Sequence, residues 1–244
     1  MSNSEEFWKI RAEKYNQLGW VNDDSYISRF ICAADFEPTD LVLDVGVGTG
    51  AIANAISPLV REVIGLDLSQ DMLNNCHYKD NVYLVRRDIL ESIFAENIFD
   101  KVTARMVFHH ILENTQKAAD ECYHVLKPGG KFILGEGIPP TPEVKDDYAK
   151  LFELKEERLT FLQKDLENLL RQAGFKNIQT HLHIMPNFSV RNWLANSGLP
   201  QETQDKIYDL HIFASDVFKN AYDMKITDTD CLITVKNLIV VGEK

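Results

Sequence analysis

The chain has 244 residues, 45% of them hydrophobic, so it can bury one sizeable core, and one domain with an elaboration is favoured over two independent domains. Its formal net charge of −11 excludes a general phosphate-tracking surface, because nucleic-acid affinity normally rests on clustered Lys and Arg. We therefore expect no bulk DNA or RNA as a partner.

The N-terminal segment predicts two helices, Glu5–Tyr15 and Ser25–Phe36. Aromatic residues, including Phe7 and Tyr15, give the first helix a rough apolar face. Two interpretations are open for residues 1–36. They form a helical cap over a ligand cleft, with Tyr15 contacting the cofactor, or they pack as helices at the edge of the domain.

The middle of the chain alternates apolar runs with helix-like segments, which is the pattern of a parallel sheet covered by helices. The predicted strands are Leu41–Val45, Glu62–Asp67, Val82–Arg86, Lys101–Ala104 and Lys131–Glu136. The predicted helices are Ala51–Ile56, Gln70–Cys76, Leu90–Phe94 and Thr115–Val125, with a turn at Lys127–Gly130. These units predict a doubly wound α/β sheet, in which ligands bind beyond the carboxyl ends of the strands.

The C-terminal region departs from this alternation after Glu136, where a proline-rich run follows. Two late strands complete the sheet and enclose an insert at about 185–230. An insert of this length usually forms a lid or a binding loop. The segments predicted here are a charged amphipathic helical region over Val144–Ala173, strands at Asn177–Ile184 and Leu232–Val241, and helices at Val190–Asn196 and Gln201–Tyr222.

The most informative stretch, Leu41–Gly50, is an apolar strand that ends in Asp44 and opens into a glycine loop. The glycines of this loop are Gly46, Gly48 and Gly50. Glycine lets the backbone take positive φ and approach a ligand closely. The glycine spacing also satisfies a relaxed dinucleotide fingerprint. Asp67 lies near the position expected of a ribose-binding acid, which is ~20 residues after the first glycine. A nicotinamide-dependent oxidoreductase is therefore one interpretation.

Asp44 favours a different cofactor, because a carboxylate at this position would face the pyrophosphate of a dinucleotide. Two like charges ~4 Å apart at an effective dielectric of ~20 repel by roughly 4 kcal/mol. S-adenosylmethionine (SAM) carries an ammonium group instead, so the same acid becomes an attraction. Asp44 therefore indicates SAM, and its alternative role is that of a turn former that binds nearby N–H groups.

Five segments occur together in the order of a known family, namely Asp44–Gly50, Gly65–Met72, Arg87–Ile89, Phe99–His110 and Val125–Lys131. With them the chain resembles the class I SAM-dependent methyltransferases, most closely the group that includes the ubiquinone and menaquinone C-methyltransferases. The resemblance implies a Rossmann-like, seven-stranded, mostly parallel sheet with an antiparallel final strand pair. We expect a helical cap over 1–36, a SAM-binding core over 37–140, and a completion of the sheet with the helical insert over 141–244.

By this resemblance, Asp44 and the glycine loop would hold the methionyl end of SAM, and the reaction would release S-adenosylhomocysteine. Asp67 would accept hydrogen bonds from both ribose hydroxyls, as a carboxylate can from a vicinal diol. The other residues implied in cofactor binding are Val47 in the loop, Leu68 and Met72 at the adenine face, Asp88 and Ile89 near the adenine amine, and Ala104 and Arg105 beside the methionine portion.

The resemblance leaves the methyl acceptor open. We expect a small molecule, because the cap and the insert suggest a closed pocket. In-line displacement mainly requires alignment of donor and acceptor, and this alignment can lower the activation barrier by up to ~7–11 kcal/mol. Protein or RNA methylation and a non-catalytic SAM-binding protein are the alternatives.

A general base is required only where the acceptor loses a proton. His109, which with His110 follows the fourth strand, is the predicted base, and the alternative is that the pair packs against the next helix. Glu136 either binds a cationic acceptor or orients a hydroxyl, or it is a solvated rim acid. Arg191 either pairs with an acceptor carboxylate or phosphate or forms a surface salt bridge. The aromatic residues that either enclose the substrate or belong to the core are Phe7, Trp8, Tyr15, Trp20, Phe188 and Trp193.

The four cysteines have no paired spacing, which suits a reducing cytoplasm. His181, His183 and His211 lack the cysteine or carboxylate neighbours of a metal site, so we predict no metal. No apolar stretch approaches the ~18 residues of a spanning helix, and no signal sequence is evident. The sequence thus predicts a soluble, unprocessed, cytoplasmic protein, and it leaves open whether the protein is a monomer or a homodimer.

Overall fold

The computed structural model describes residues 18, 21–91 and 94–244. The strands are β1 Leu41–Val45, β2 Glu62–Asp67, β3 Val82–Arg86, β4 Phe99–Arg105, β5 Leu126–Ile138, β6 Lys176–Ser189, β7 Lys225–Ile226 and β8 Cys231–Glu243. The helices are α1 Asp24–Ala34, α2 Ala51–Ile56, α3 Gln70–Asn74, α4 Thr115–Val125, α5 Lys145–Glu153, α6 Gln163–Ala173, α7 Val190–Ala195, α8 Gln201–Ile212 and α9 Asp216–Ala221.

The strands form one sheet in the order β3-β2-β1-β4-β5-β8-β6, and β7 pairs with β8. The first five strands are parallel, whereas β8 is antiparallel to both β5 and β6. The predicted doubly wound, mostly parallel sheet with an antiparallel final pair is therefore confirmed. Within the described residues seven strands form the continuous path, and the two-residue β7 is an addition that the sequence did not indicate.

Side chains of the central strands alternate between two covered faces, as the period of a strand requires. Leu43 and Phe132 belong to one core with residues of α4 and α6, whereas Val42 and Ile133 belong to another with residues of α1 and α2. Burial on both faces explains why these strands are nearly continuous apolar runs. A third cluster joins the insert helices to α5 and includes Trp193.

The amino-terminal edge of the sheet is fixed by charged groups. Lys101 Nζ lies 3.3 Å from Asp40 Oδ2, and both side chains are largely buried. Asp100 accepts a hydrogen bond from the Leu41 N–H at 2.9 Å and pairs with Lys127 Nζ at 2.7 Å. These contacts hold β1, β4 and β5 together at the amino-terminal edge of the sheet. The predicted ligand residues lie at the opposite edge, which is therefore left available for binding.

Two predicted helices are each divided in the structure. The region Val144–Ala173 forms α5 and α6 with a non-helical stretch between them, and the N–H groups of Lys155 and Glu156 close α5 by donating to the Phe152 carbonyl at 2.8 Å. The predicted helix Gln201–Tyr222 forms α8 and α9. It is interrupted because the Ser215 side chain caps α9, accepting from the Phe218 N–H at 3.2 Å.

Other differences are smaller. The predicted turn Lys127–Gly130 lies within β5, and a 3-10 turn at Ile89–Glu91 begins where a helix was predicted. The predicted helix Glu5–Tyr15 lies outside the described residues, and the division into a cap, a core and a C-terminal completion stays a prediction. Within the described ranges, no helix combines the length and apolar composition that crossing a bilayer requires.

Gly135 of β5 lies against Tyr26 of α1, where an added Cβ would overlap the Tyr26 hydroxyl. The substitution Gly135→Ala should lower the free energy of unfolding by about 1–3 kcal/mol, because both groups are buried and overpacked sites relax poorly. Adding Tyr26→Phe removes the overlapping oxygen and should recover part of this loss. Urea unfolding of the wild type, both single variants and the double variant measures the coupling. Strictly additive losses would contradict the contact.

Candidate functional site

The glycine loop follows β1 and is held from two sides. Gly46 has φ +67°, and a Cβ there would overlap the Val107 side chain, so both its conformation and its close approach require glycine. On the other side, Val47 N–H donates to the Leu66 carbonyl at 2.9 Å. Among the described residues, an added Cβ at Gly48 would meet no atom nearer than 3.9 Å, so this part of the chain leaves room for a ligand beside the loop.

Asp44 is buried at the end of β1, 2% exposed, beside its β4 register partner Thr103. The Thr103 hydroxyl donates to Asp44 Oδ1 at 2.7 Å. Burial raises the pKa of Asp44 to about 7, against the opposing effects of the Thr103 hydrogen bond and the Arg105 charge. A neutral hydroxyl therefore orients this carboxyl group, which leaves it suited to a cationic ligand.

Asp67 closes β2 and is bonded by backbone N–H groups. Gly48 N–H donates to Oδ2 and Ser69 N–H donates to Oδ1, each at 2.8 Å. Burial raises the pKa of Asp67, whereas these hydrogen bonds favour its ionised form. Each carboxylate oxygen has a further lone pair, so Asp67 can accept additional hydrogen bonds from a diol.

The predicted adenine-side residues lie after β2 and β3. Asp88 Oδ1 accepts from the Leu90 N–H at 2.9 Å. Ile89 and Met72 are buried, while Leu68 is 60% exposed. Leu68 thus presents apolar surface beside Asp67, as expected of a residue that covers a base, and the buried Met72 supports the region from within.

Two predicted residues end β4. Ala104 is fully buried in the sheet, so its side chain has no access to a ligand. The Arg105 guanidinium donates to the Val21 carbonyl at 2.8 Å and lies 4.7 Å from the centre of the Tyr26 ring. Tyr15 lies outside the described residues. The structure therefore brings Asp44, the glycine loop and Asp67 together, and the cofactor roles of the individual residues stay predictions.

Glu136 is fully buried, so its predicted role as a solvated rim acid is wrong, whereas its predicted role toward the acceptor stays a prediction. Its Oε1 accepts from the N–H groups of Val107, Phe108 and His109 at 3.1, 2.8 and 3.3 Å. Its Oε2 lies 2.6 Å from His109 Nδ1. Burial raises the pKa of Glu136 to about 7, and the amide hydrogen bonds and the Arg158 charge oppose this rise. Glu136 thus orients the whole turn and the His109 ring.

A cavity of about 120 Å³ lies beyond this turn, and we call it the insert cavity. Its walls come from the segment 106–110, the end of β5, α5 with the stretch that follows it, β8 and the insert helices. The Leu159 N–H donates to the His109 carbonyl at 2.8 Å and so ties the wall after α5 to the turn. Because Gly46 contacts Val107, the same turn separates the glycine loop from the cavity.

Met106 was not singled out from the sequence, although it occupies an unusual backbone position in this wall. It has φ +54°, which is uncommon for a long side chain. Its N–H donates to the Gly135 carbonyl at 2.8 Å, and its side chain lines the insert cavity. Such strained residues cluster at functional sites, and no local sequence signal would have identified this one.

Three charged residues in the cavity wall were also missed, since the sequence placed them in a charged amphipathic helix. Lys155, Glu156 and Arg158 have side chains that are 3%, 5% and 7% exposed. Lys155 Nζ lies 2.6 Å from Glu156 Oε2, and Arg158 Nη1 lies 3.5 Å from Glu156 Oε1. Charges are rarely buried without pairing, so this cluster is the least expected feature of the site.

The insert contributes aromatic surface to the cavity, as the sequence suggested. Phe188 and Trp193 both line it, whereas the predicted aromatic residues before position 21 lie outside the described residues. Arg191 is exposed, and its guanidinium lies 4.1 Å from the centre of the Tyr208 ring. Among the described residues the Arg191 side chain thus makes an aromatic contact at the surface and no salt bridge, and its pairing with an acceptor anion stays a prediction.

The remaining histidines are dispersed. His183 Nε2 lies 3.3 Å from Asp23 Oδ2, and His211 Nδ1 lies 2.8 Å from the Ile207 carbonyl, where burial lowers the pKa of His211. In the described ranges, one group has metal-compatible spacing, with ligand atoms of His109, His110 and Glu156 within 4.8 Å of one another. The absence of a metal stays a prediction, and the Lys155 ammonium beside Glu156 supports it.

Comparison with known proteins gives a consistent result. A family model described as a methyltransferase domain matches residues 43–134. The Bacillus subtilis protein named uncharacterized methyltransferase YcgJ is 26% identical over 260 aligned residues, which cover 100% of both chains. The crystal structure of YcgJ superimposes with a TM-score of 0.80 at 24% identity and covers 90% of this chain and 98% of its own.

Two further relatives have named substrates. A demethylmenaquinone methyltransferase of Staphylococcus aureus is 33% identical over 166 residues, which cover 56% of this chain and 68% of that protein. The Haemonchus contortus phosphoethanolamine N-methyltransferase 2, in complex with phosphomonomethylethanolamine and S-adenosylhomocysteine, has a TM-score of 0.60 at 21% identity. That match covers 90% of this chain and 52% of the other, so it shows a shared fold.

The raised pKa of Asp44 predicts a pH-dependent stability. Between about pH 4 and pH 7 the folded protein retains a proton that the unfolded chain has released, so the contribution of Asp44 to stability falls as pH rises. Asp44→Asn removes this effect. In urea titrations, the difference between the free energy of unfolding of this variant and that of the wild type should therefore rise in favour of the variant from pH 5 to pH 7.5. The control Asp120→Asn changes an exposed acid on α4 and should show a constant difference; a constant difference for Asp44→Asn would contradict the burial effect.

Proposed function

This chain belongs to the class I SAM-dependent methyltransferases, and from that premise we propose that it transfers a methyl group from SAM to a small molecule held in the insert cavity. The observation that supports this most is the turn after β4. Its Val107 contacts the glycine loop at Gly46, and its Met106, His109 and His110 line the cavity. A molecule in the cavity would therefore lie next to the methionyl end of the cofactor.

The residues around the glycine loop fit SAM in charge and in donor set. Asp44 would attract the ammonium group, and Asp67 would accept from the ribose hydroxyls through the lone pairs that its backbone partners leave. Open space next to Gly48 and the exposed Leu68 side chain provide room and apolar surface beside them. SAM supplies an electrophilic methyl group on a positively charged sulfur.

The cavity residues would align and desolvate the acceptor. Aromatic side chains such as Tyr148, Phe152 and Trp193 exclude water, and alignment is the main requirement of an in-line displacement. His109 would accept a proton from an acceptor that must lose one. Its Nδ1 is hydrogen-bonded to Glu136, so Nε2 would be the atom that exchanges a proton with the acceptor. The Glu136 carboxylate would stabilise the protonated ring.

Family membership favours methyl transfer over the nicotinamide-dependent alternative. The named relatives act on a quinone precursor and on a phosphorylated amine, so the acceptor itself is not carried over to this chain. The cavity volume of about 120 Å³ favours a small acceptor over a protein or RNA segment. A cytoplasmic location stays a prediction from the cysteine spacing.

Asp67→Asn should weaken the binding of SAM and S-adenosylhomocysteine at least about tenfold, because it removes a charged acceptor of ribose hydrogen bonds. Isothermal titration calorimetry measures both affinities. The matched control Asp120→Asn, on the exposed face of α4, should bind as wild type does. If the wild-type protein binds neither ligand, the proposed function is wrong.

His109→Gln should lower the rate of methyl transfer by about 10²–10⁴-fold when the acceptor loses a proton, while leaving the affinity for SAM unchanged. The assay follows label from methyl-labelled SAM into a metabolite extract between pH 6 and pH 9. Wild-type enzyme that transfers no label would indicate the non-catalytic alternative. An unchanged rate in the variant would remove His109 from the mechanism and keep it as a packing residue.

A further inference from the structure

We propose that the acceptor carries an anionic group, a carboxylate or a phosphate, which Lys155 and Arg158 bind at the wall of the insert cavity. The identification of this anion as the acceptor rests on the proposed function. The anion site itself is argued from the residues of the cavity alone.

The charge of the cavity wall supports an anionic ligand. Among the described residues that line it, Lys155, Arg158 and Lys236 are cationic, whereas Glu156 is the carboxylate. The wall therefore has an excess of positive charge before any histidine is protonated, in a protein whose net charge is −11. The Glu136 carboxylate behind the wall also interacts with the Arg158 charge, and an anion in the cavity would add charge-assisted hydrogen bonds to the two buried cations.

Arg158 has hydrogen-bonding capacity for such a ligand. Within the described part of the chain, its Nη1 lies 3.5 Å from Glu156 and its Nε donates to the Leu159 carbonyl at 3.4 Å. A guanidinium has five N–H donors in a planar fork, so donors remain after these two contacts. The fork matches the geometry of a carboxylate or a phosphate.

Aromatic rings fix the position of both cations. The Arg158 guanidinium lies 4.2 Å from the centre of the Phe152 ring, and Lys155 Nζ lies 5.5 Å from the same ring and 5.9 Å from that of Trp193. Burial raises the pKa of Tyr148 and of Tyr222, so both hydroxyl groups in the wall keep their hydrogens and can donate. The same rings would contact an apolar or aromatic body attached to the anionic group.

A cationic ligand fits this wall less well. The carboxylate that would bind it, Glu156, already has Lys155 Nζ at 2.6 Å and Arg158 Nη1 at 3.5 Å. A divalent metal at His109, His110 and Glu156 would meet two fixed positive charges beside its carboxylate ligand. The electrostatics of the wall therefore favour an anion.

Calorimetric titration of the full chain, with and without S-adenosylhomocysteine, tests the site with four probes, namely phenyl phosphate, benzoate, benzyl alcohol and benzylamine. Phenyl phosphate or benzoate should bind at least about tenfold more tightly than the neutral and cationic probes, given the strength of charged hydrogen bonds. The tighter of the two anions identifies the group. Equal binding of all four, preferred binding of benzylamine, no binding, or binding of Mn²⁺ in their place would overturn the proposal.

Variants separate recognition from folding. Arg158→Gln should weaken anion binding at least about tenfold, whereas Arg171→Gln removes the same charge from the exposed face of α6 and should not. Glu156→Gln removes the competing carboxylate and should strengthen anion binding, a gain that misfolding cannot produce; weaker binding in this variant would overturn the proposal. If anions bind but S-adenosylhomocysteine does not, the proposed function fails and the anion site stands. If S-adenosylhomocysteine binds but the anions do not, the proposed anion site is wrong and the proposed methyl transfer stands.

Discussion

Glu136 provides the constraint on which the arrangement of the site depends. A fully buried carboxylate requires hydrogen-bond donors, and Glu136 obtains them from three consecutive backbone N–H groups and from the His109 ring. Removing these donors would leave a buried charge without partners, so the segment 106–110 has little freedom to move. Because Gly46 packs against this segment and the insert cavity begins behind it, one interaction sets the distance between the cofactor loop and the cavity.

The two sides of the site have opposite charge. Acidic residues lie at the carboxyl ends of β1 and β2 on the cofactor side, where Asp44 and Asp67 are oriented by a hydroxyl and by backbone N–H groups. Basic residues, Lys155 and Arg158, line the cavity on the other side, where aromatic rings position them. Such an arrangement would bind a cationic methyl donor and an anionic acceptor in adjacent compartments and would disfavour exchange of the two ligands between compartments.

The predictable part of the fold follows from local periodicity. Strands β1 to β4 and the second half of β5 are short, mainly apolar runs separated by helix signals. A parallel sheet places the residues at their carboxyl ends on one edge whatever the rest of the chain does. Asp44, Asp67 and the glycine loop could therefore be identified as a group from the sequence. The breaks within the two divided helices were not predicted, because each depends on individual capping contacts, such as that of Ser215, which periodicity does not report.

The sequence by itself determined the sheet, the cofactor edge and the family, because these features depend on neighbouring residues and on motif order. Only the tertiary structure decided that Glu136 and the ion-paired side chains of the Lys155–Arg158 segment are buried, because in the sequence they look like exposed charged residues. Groups that are distant along the chain surround them: Glu136 bonds to the turn at 107–109, and Lys155, whose ion-pair partner Glu156 is its neighbour in sequence, is covered by Trp193 of the insert. Burial of a charge is a property of the assembled fold, since it depends on which distant groups compensate the lost hydration.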